Sequence, residues 1–485
     1  WAQVGPFSGT SGGLASSGVN SLLSAPGRLL VGGGFPTASN GTTAVTVNRI
    51  AALDDATSTW SAFGSSATPG VNQLVRSIAV FNGTTYALGL FADAGPSTGS
   101  VGVNGARGIA RYNPTTGIFD SLAKGSPNVA IYSATYFNGN LVVGGNFSTI
   151  GGISARRVAM FNGTDWVAFG AGLGNTSFSS GVDYDTVLSL QVFNGELYAG
   201  GNFNLGNIGG TVPGAPVCLA KWDPSTNTWI NLNANISVYS MVVKDSSLYV
   251  GGLFTSINGT PAARVAKFNG TAWSQVGAGI TGSSGPTVWT LSVFNNDLYV
   301  GGGFSATPVL PSGTTSYIAR FDEAQNGFVA VGPGLTRDPG GVVINPGVWS
   351  MVAHQGQLHV AGRFNATGDF SVGGLNSVAS WNGTTWAPVG GGITTAAGNG
   401  QFSNVYGITS SNGTLVATGD FNSSASNGGR FNGVCYFDAA ANDWASIGSN
   451  SLGASLPALG GVLGGGRTIL KLLDSSVFIG GDFTS

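Results

Sequence analysis

The chain holds only two histidines, His354 and His359. They stand on the two arms of one hairpin around Gln355-Gly356, where a metal role is the first chemistry to weigh. In a two-residue hairpin their offset is not directly cross-strand, and no second cluster of ligating residues completes a coordination set. Carboxylates are equally sparse, with Glu196 and Glu323 the only glutamates. Asp183 and Asp185 form an Asp-Tyr-Asp pair, but no calcium-loop pattern surrounds them, so the expectation is a solvated loop. Asp420 and Asp482 occupy a variable position before a recurring Phe that elsewhere carries Gly34, Leu90, Asn146 or Arg363, which does not make an acidic ring. Cys218 and Cys435 fall in corresponding strands of distant repeats, too far apart for a disulfide, and read as buried apolar residues. The histidines read as polar surface or edge positions. No catalytic residue, metal ligand or cofactor site is therefore expected.

Asn-x-Ser/Thr sequons carry the strongest remaining chemistry. They occur at Asn40, Asn82, Asn162, Asn175, Asn235, Asn269, Asn365, Asn382, Asn412 and Asn422, with two more at Asn146 and Asn258. Such an asparagine accepts an N-glycan when it is exposed in a secreted chain. Asn162, Asn269 and Asn382 each open an Asn-Gly-Thr turn between two strands and are expected to be modified first, whereas Asn146, packed beside a Gly-Gly pair, is expected bare.

These residues are carried by a repeat. Copies of a Gly-Gly-x-Phe element end at Phe35, Phe91, Phe147, Phe203, Phe254, Phe304, Phe364, Phe421 and Phe483, at intervals of 50 to 62 residues. A period of this size means a propeller, solenoid or array. The segment from Val187 to Leu232 contains four alternating apolar runs: Val187 to Phe193, a two-residue Asn194-Gly195 turn, Glu196 to Gly201, a long loop, Cys218 to Trp222, and Thr228 to Leu232. Four short strands with Gly and aromatic punctuation describe a propeller blade. Nine such repeats span residues 1–485, with copies ending near 64, 125, 172, 233, 279, 334, 392 and 450 and the last incomplete. The fold class is all-β, a propeller closed as one ring or split into two. Strands of about four to seven residues and no long helix follow.

Composition narrows the setting. Only 8% of residues are charged, net charge is −2 and glycine numbers 82 of 485. Nothing here favours nucleic acid, and no apolar run of about 18 residues could span a membrane. Arg49, Arg157 and Arg264 each precede a Val-Ala or Ile-Ala pair opening a third strand, which suggests a repeated contact with carbonyls of the neighbouring blade. Trp1 to Gly5 matches Trp273 to Gly277, a fourth strand, and is expected to share the ninth blade with Val477 to Phe483 if a ring closes.

The run Trp222-Asp223-Pro224-Ser225-Thr226-Asn227-Thr228-Trp229 resembles the kelch repeat, and Leu-Tyr-Val-Gly-Gly-x-Phe followed by Val-Ala-x-Phe-Asn-Gly-Thr-x-Trp resembles the Rax2-like repeats of fungal cortical polarity markers. That resemblance implies a large glycosylated surface protein. Kelch-like propellers include a copper radical oxidase, whose histidine, tyrosine and cysteine ligand set has no counterpart here. The expected function is a non-enzymatic extracellular scaffold whose partners are itself or cell-wall components. A carbohydrate- or protein-binding adhesion module is the alternative, with recognition by the long loops on one rim, and a kelch-fold oxidase is the third and least favoured reading.

Overall fold

The computed structural model describes residues 19–481 apart from interior gaps, the longest at 95–102, 122–130, 175–184, 204–217, 337–345, 395–402 and 447–465. Every regular element described is a β-strand. Eight four-stranded antiparallel sheets follow one another along the chain, each a meander in sequence order, and a ninth sheet has two strands. The first strands are Val19–Ala25, Val75–Phe81, Ile131–Phe137, Thr186–Phe193, Val238–Lys244, Thr287–Phe294, Gly347–His354, Asn404–Ser411 and Gly466–Lys471. They run to eight residues, while fourth strands such as Trp166–Ala168 have three, so lengths spread more widely than expected.

Each first strand lies beside the first strand of a neighbouring sheet. Sheets three to nine form a closed circuit of such contacts, because the Gly466–Lys471 and Val477–Gly481 hairpin touches Asn404–Ser411 on one side and Ile131–Phe137 on the other. The same hairpin touches Val19–Ala25 and Val75–Phe81. The protein is a β-propeller. Trp1 to Gly5, expected in the ninth blade, lie outside the described residues, as does Phe483.

Local chemistry explains the blades. The turn between first and second strands takes positive φ at both positions, 50° at Asn194 and 75° at Gly195, as a primed two-residue turn requires. All nine first strands carry a register shift at their start, as between Val187 and Ser189, which leaves one bulged residue there. Between sheets, the repeat Phe and the fourth-strand Trp fill the core: Phe203 is 2% and Trp229 is 3% exposed. Trp386 Nε1 donates to the Val331 carbonyl at 2.9 Å and Trp444 Nε1 to Val389 at 2.8 Å, each reaching the preceding sheet.

The long-loop rim has structure that alternation alone does not announce. Several connections between second and third strands fold into small hairpins, such as Ser256–Ile257 with Thr260–Pro261. Others pair across sheets: Leu335–Thr336, which follows the sixth sheet, pairs with Ala366–Thr367 of the seventh, and Ile393–Thr394 pairs with Ser423–Ser424 in the same way.

Candidate functional site

The three leading sequons sit in one recurring turn between third and fourth strands. Asn269 Oδ1 accepts the amides of Thr271 and Ala272, both at 2.9 Å, and the Thr271 hydroxyl at 2.8 Å. Asn382 Oδ1 accepts the Thr384 amide at 2.9 Å, its hydroxyl at 2.9 Å and the Thr385 amide at 2.8 Å. Asn162 Oδ1 accepts the Asp165 amide at 2.8 Å. A side-chain acceptor closing its own turn is what asparagine does better than most residues. All three asparagines are exposed.

Other sequons differ in setting. Asn235 and Asn258 are also exposed, whereas Asn146 and Asn365 are half-buried, and Asn146 Oδ1 is buried with no hydrogen-bond partner among the described residues. Asn40 ends the strand Thr37–Asn40 with its side chain outside the described residues, and Asn82, Asn175, Asn412 and Asn422 lie outside them altogether.

One of these turns borders a cleft of about 410 Å³ between the fourth and fifth sheets. Its walls include Phe268 and Trp273, whose rings stack with centroids 4.9 Å apart and planes 27° apart. Facing them, Lys221 Nζ donates to Glu196 Oε1 at 2.7 Å, and the buried Tyr198 hydroxyl donates to Glu196 Oε2 at 2.9 Å. Burial, and then the Glu196 carboxylate, push the Tyr198 phenol well above its ordinary range, so it stays a neutral donor. Thr271 and Ala272 close the cleft from the Asn269 turn, and Asn258 and Thr260 from the small hairpin. Aromatic faces mixed with amide, hydroxyl and ammonium groups suit a neutral polyhydroxylated ligand better than an anion or a lipid.

A second aromatic feature follows from the bulges. The bulged residues of sheets six to eight are Trp289, Trp349 and Tyr406. Trp289 lies 6.0 Å from Trp349, and Trp349 lies 4.9 Å from Tyr406, centroid to centroid, so a half-exposed row crosses three sheets at the long-loop end of their first strands. Strand periodicity conceals this row, because the bulge takes its residues out of the two-residue alternation.

Two of the recurring arginines, Arg157 and Arg264, are structural clasps. Arg157 Nε donates to the Asp185 carbonyl at 2.8 Å and Nη1 to the Phe147 carbonyl at 3.1 Å. Arg264 repeats this with Pro286 at 2.6 Å and Phe254 at 3.3 Å. Asp185 and Pro286 immediately precede the next first strand, so each guanidinium ties one sheet to its neighbour, as expected from the repeat. Ser377 takes the same position in the seventh sheet, its hydroxyl 3.2 Å from the Ser403 carbonyl. Arg49, Arg157, Arg264, Tyr317 and Ser377 all sit at φ between 65° and 72°. Asp185, read as a solvated loop residue, instead faces Arg157, with Oδ2 at 4.0 Å from Nη2; Asp183 lies outside the described residues.

The histidines depart from expectation. His354 is half-buried, its Nδ1 2.7 Å from Ser410 Oγ, while His359 is 6% exposed rather than on the surface. His359 occupies the second-strand position that Tyr198, Tyr249 and Tyr299 hold in sheets four to six, where each of those tyrosines is buried against the next sheet. Burial, and then the neighbouring His354, lower its pKa to about 4. Cys218 and Cys435 are buried free thiols, both raised in pKa by burial, Cys218 to about 11. Among the described residues no group of three His, Cys, Asp or Glu side chains is placed to hold a metal ion.

No family model matches the chain, and no curated protein matches it. Among solved structures it is similar to the computationally designed Ika8 protein, at 10% identity and a TM-score of 0.42, over 86% of this chain and 96% of that one. It is similar to the WD40 beta propeller domain of Doa1, at 12% identity and a TM-score of 0.34, over 73% and 91%. The extracellular domain of a one component system from B. thetaiotaomicron aligns at 13% identity and a TM-score of 0.29, over 92% of this chain and 54% of that one.

Proposed function

We propose that this chain is a non-enzymatic, glycosylated, extracellular propeller scaffold of the kelch-like, Rax2-like kind, assembling with itself or with cell-wall material. The observation that carries this is the recurrence of one exposed Asn turn, at Asn162, Asn269 and Asn382, on a surface with few charges. A chain with 8% charged residues needs another source of solubility, and glycans at rigid, outward turns supply it. The sheet-to-sheet clasps add support, since a scaffold needs fixed geometry rather than a moving lid.

A second reading, a carbohydrate- or protein-binding adhesion module, is favoured by the half-exposed row Trp289, Trp349 and Tyr406. Site-resolved glycopeptide mass spectrometry of protein secreted from a eukaryotic host tests the first reading, and polysaccharide bound at the long-loop rim would favour the second. The scaffold proposal expects occupancy at Asn162, Asn269 and Asn382. Three bare sites in secreted material would remove its main support.

A further inference from the structure

Resting on that proposal of glycosylation, we infer that the glycan on Asn269 folds back and docks its first sugars in the cleft between the fourth and fifth sheets. The covalent step is ordinary glycosyl transfer: Asn269 Nδ2 forms a bond to the anomeric carbon of a lipid-pyrophosphate-linked oligosaccharide, loses a proton, and the bond to the pyrophosphate breaks as it leaves. What the fold adds is a seat for the product.

Three observations converge. Thr271 and Ala272, which complete the Asn269 turn, are themselves walls of the cleft, so an attached sugar starts at its mouth. The stacked Phe268 and Trp273 flank that turn in sequence and supply the apolar surface against which the C–H face of a pyranose packs. On the same cleft stands Asn258, exposed and held by its backbone amide, which donates to the carbonyls of Leu232 at 3.1 Å and Asn233 at 3.2 Å. Its side-chain amide makes no hydrogen bond among the described residues, unlike those of Asn269, Asn235 and Asn382. An uncommitted amide on a pinned turn offers one acceptor and two donors to sugar hydroxyl or acetamido groups at little entropic cost. Lys221 adds a further donor.

Asn162 and Asn382 are internal controls, because they share the turn but sit on other sheets. Native secreted protein is treated with a peptide N-glycosidase without denaturant, and release at each site is followed by mass spectrometry. Docking predicts release at Asn269 about tenfold slower than at the controls, which corresponds to roughly 1.4 kcal/mol of protection. The substitutions Asn258→Ala and Lys221→Ala, with unchanged melting temperature, should bring that rate back to the control value. Equal release at all three sites, a bare Asn269 beside occupied controls, or a glycan on Asn258 filling the cleft would each overturn the docking while leaving the scaffold proposal intact. Three bare sites would overturn both.

Discussion

A methyl group added to Gly200 would lie 2.5 Å from Cγ1 of Val238, the residue opening the first strand of the next sheet. The same relation joins Gly144 to Val187 at 2.5 Å, Gly251 to Val288 at 2.7 Å and Gly301 to Val348 at 2.7 Å. The first glycine of each pair is thus the socket for the next blade's valine. Gly200→Ala should cost about 1–3 kcal/mol through overpacking. Val238→Ala in the same chain should recover part of it, so the double mutant, read by urea denaturation, would be more stable than additivity allows. The seventh sheet carries Ala361 at this position, packed in one cluster with Val405, so the local backbone can yield. An additive pair would mean the contact is not the source of the cost.

Arg157 is 2% exposed and serves two carbonyls, one just after the second strand of its own sheet and one just before the first strand of the next. Replacing it with Ala leaves the Asp185 carbonyl without this donor, while the Phe147 carbonyl keeps the backbone amide of residue 157 at 2.7 Å, and the expected loss is about 1–3 kcal/mol. Arg157→Ser, which matches the seventh sheet's use of Ser377, should lose less, because a hydroxyl can reach one of the carbonyls. Denaturant midpoints within error of the parent for both variants would contradict the clasp.

His359 makes stability depend on acidity. Its pKa falls from 6.5 to about 4 on folding, so between those values the unfolded chain binds a proton that the folded chain refuses. Stability is therefore full above pH 6.5 and declines as pH drops towards 4, by roughly 3 kcal/mol in total. His359→Tyr installs the residue used by sheets four to six and should flatten the melting-temperature profile through that window. A profile unchanged by the substitution would assign the acid sensitivity elsewhere.

The thiols give a test of the core. Cys218 and Cys435 are both fully buried, and burial holds both protonated near neutrality. In native protein at pH 8 neither should react with a disulfide reagent over minutes, and both should react once guanidinium unfolds the chain. Prompt labelling of either thiol in native protein would contradict its position.

Asn194-Gly195, the Gly-Gly pairs and the alternating runs around them dictate hairpins by local rules: positive φ at two successive positions, period two, and an aromatic every blade. From those signals the sequence by itself determined an all-β repeat of four strands, the tight-turn rim, and the exposed setting of Asn162, Asn269 and Asn382. It also marked the recurring arginines as a contact with carbonyls of the neighbouring blade, though not which carbonyls. Only the tertiary structure decided that Arg157 reaches the Asp185 carbonyl, that His359 is buried in a slot others fill with tyrosine, that Trp289, Trp349 and Tyr406 meet, and that Asn258 and Trp273 line one cleft with Tyr198 and Lys221. Each of these depends on how one sheet lies against the next. Periodicity within a strand reports which face is apolar, but the angle and register between separate sheets come from packing of side chains distant in sequence, so they become visible only when the sheets are assembled.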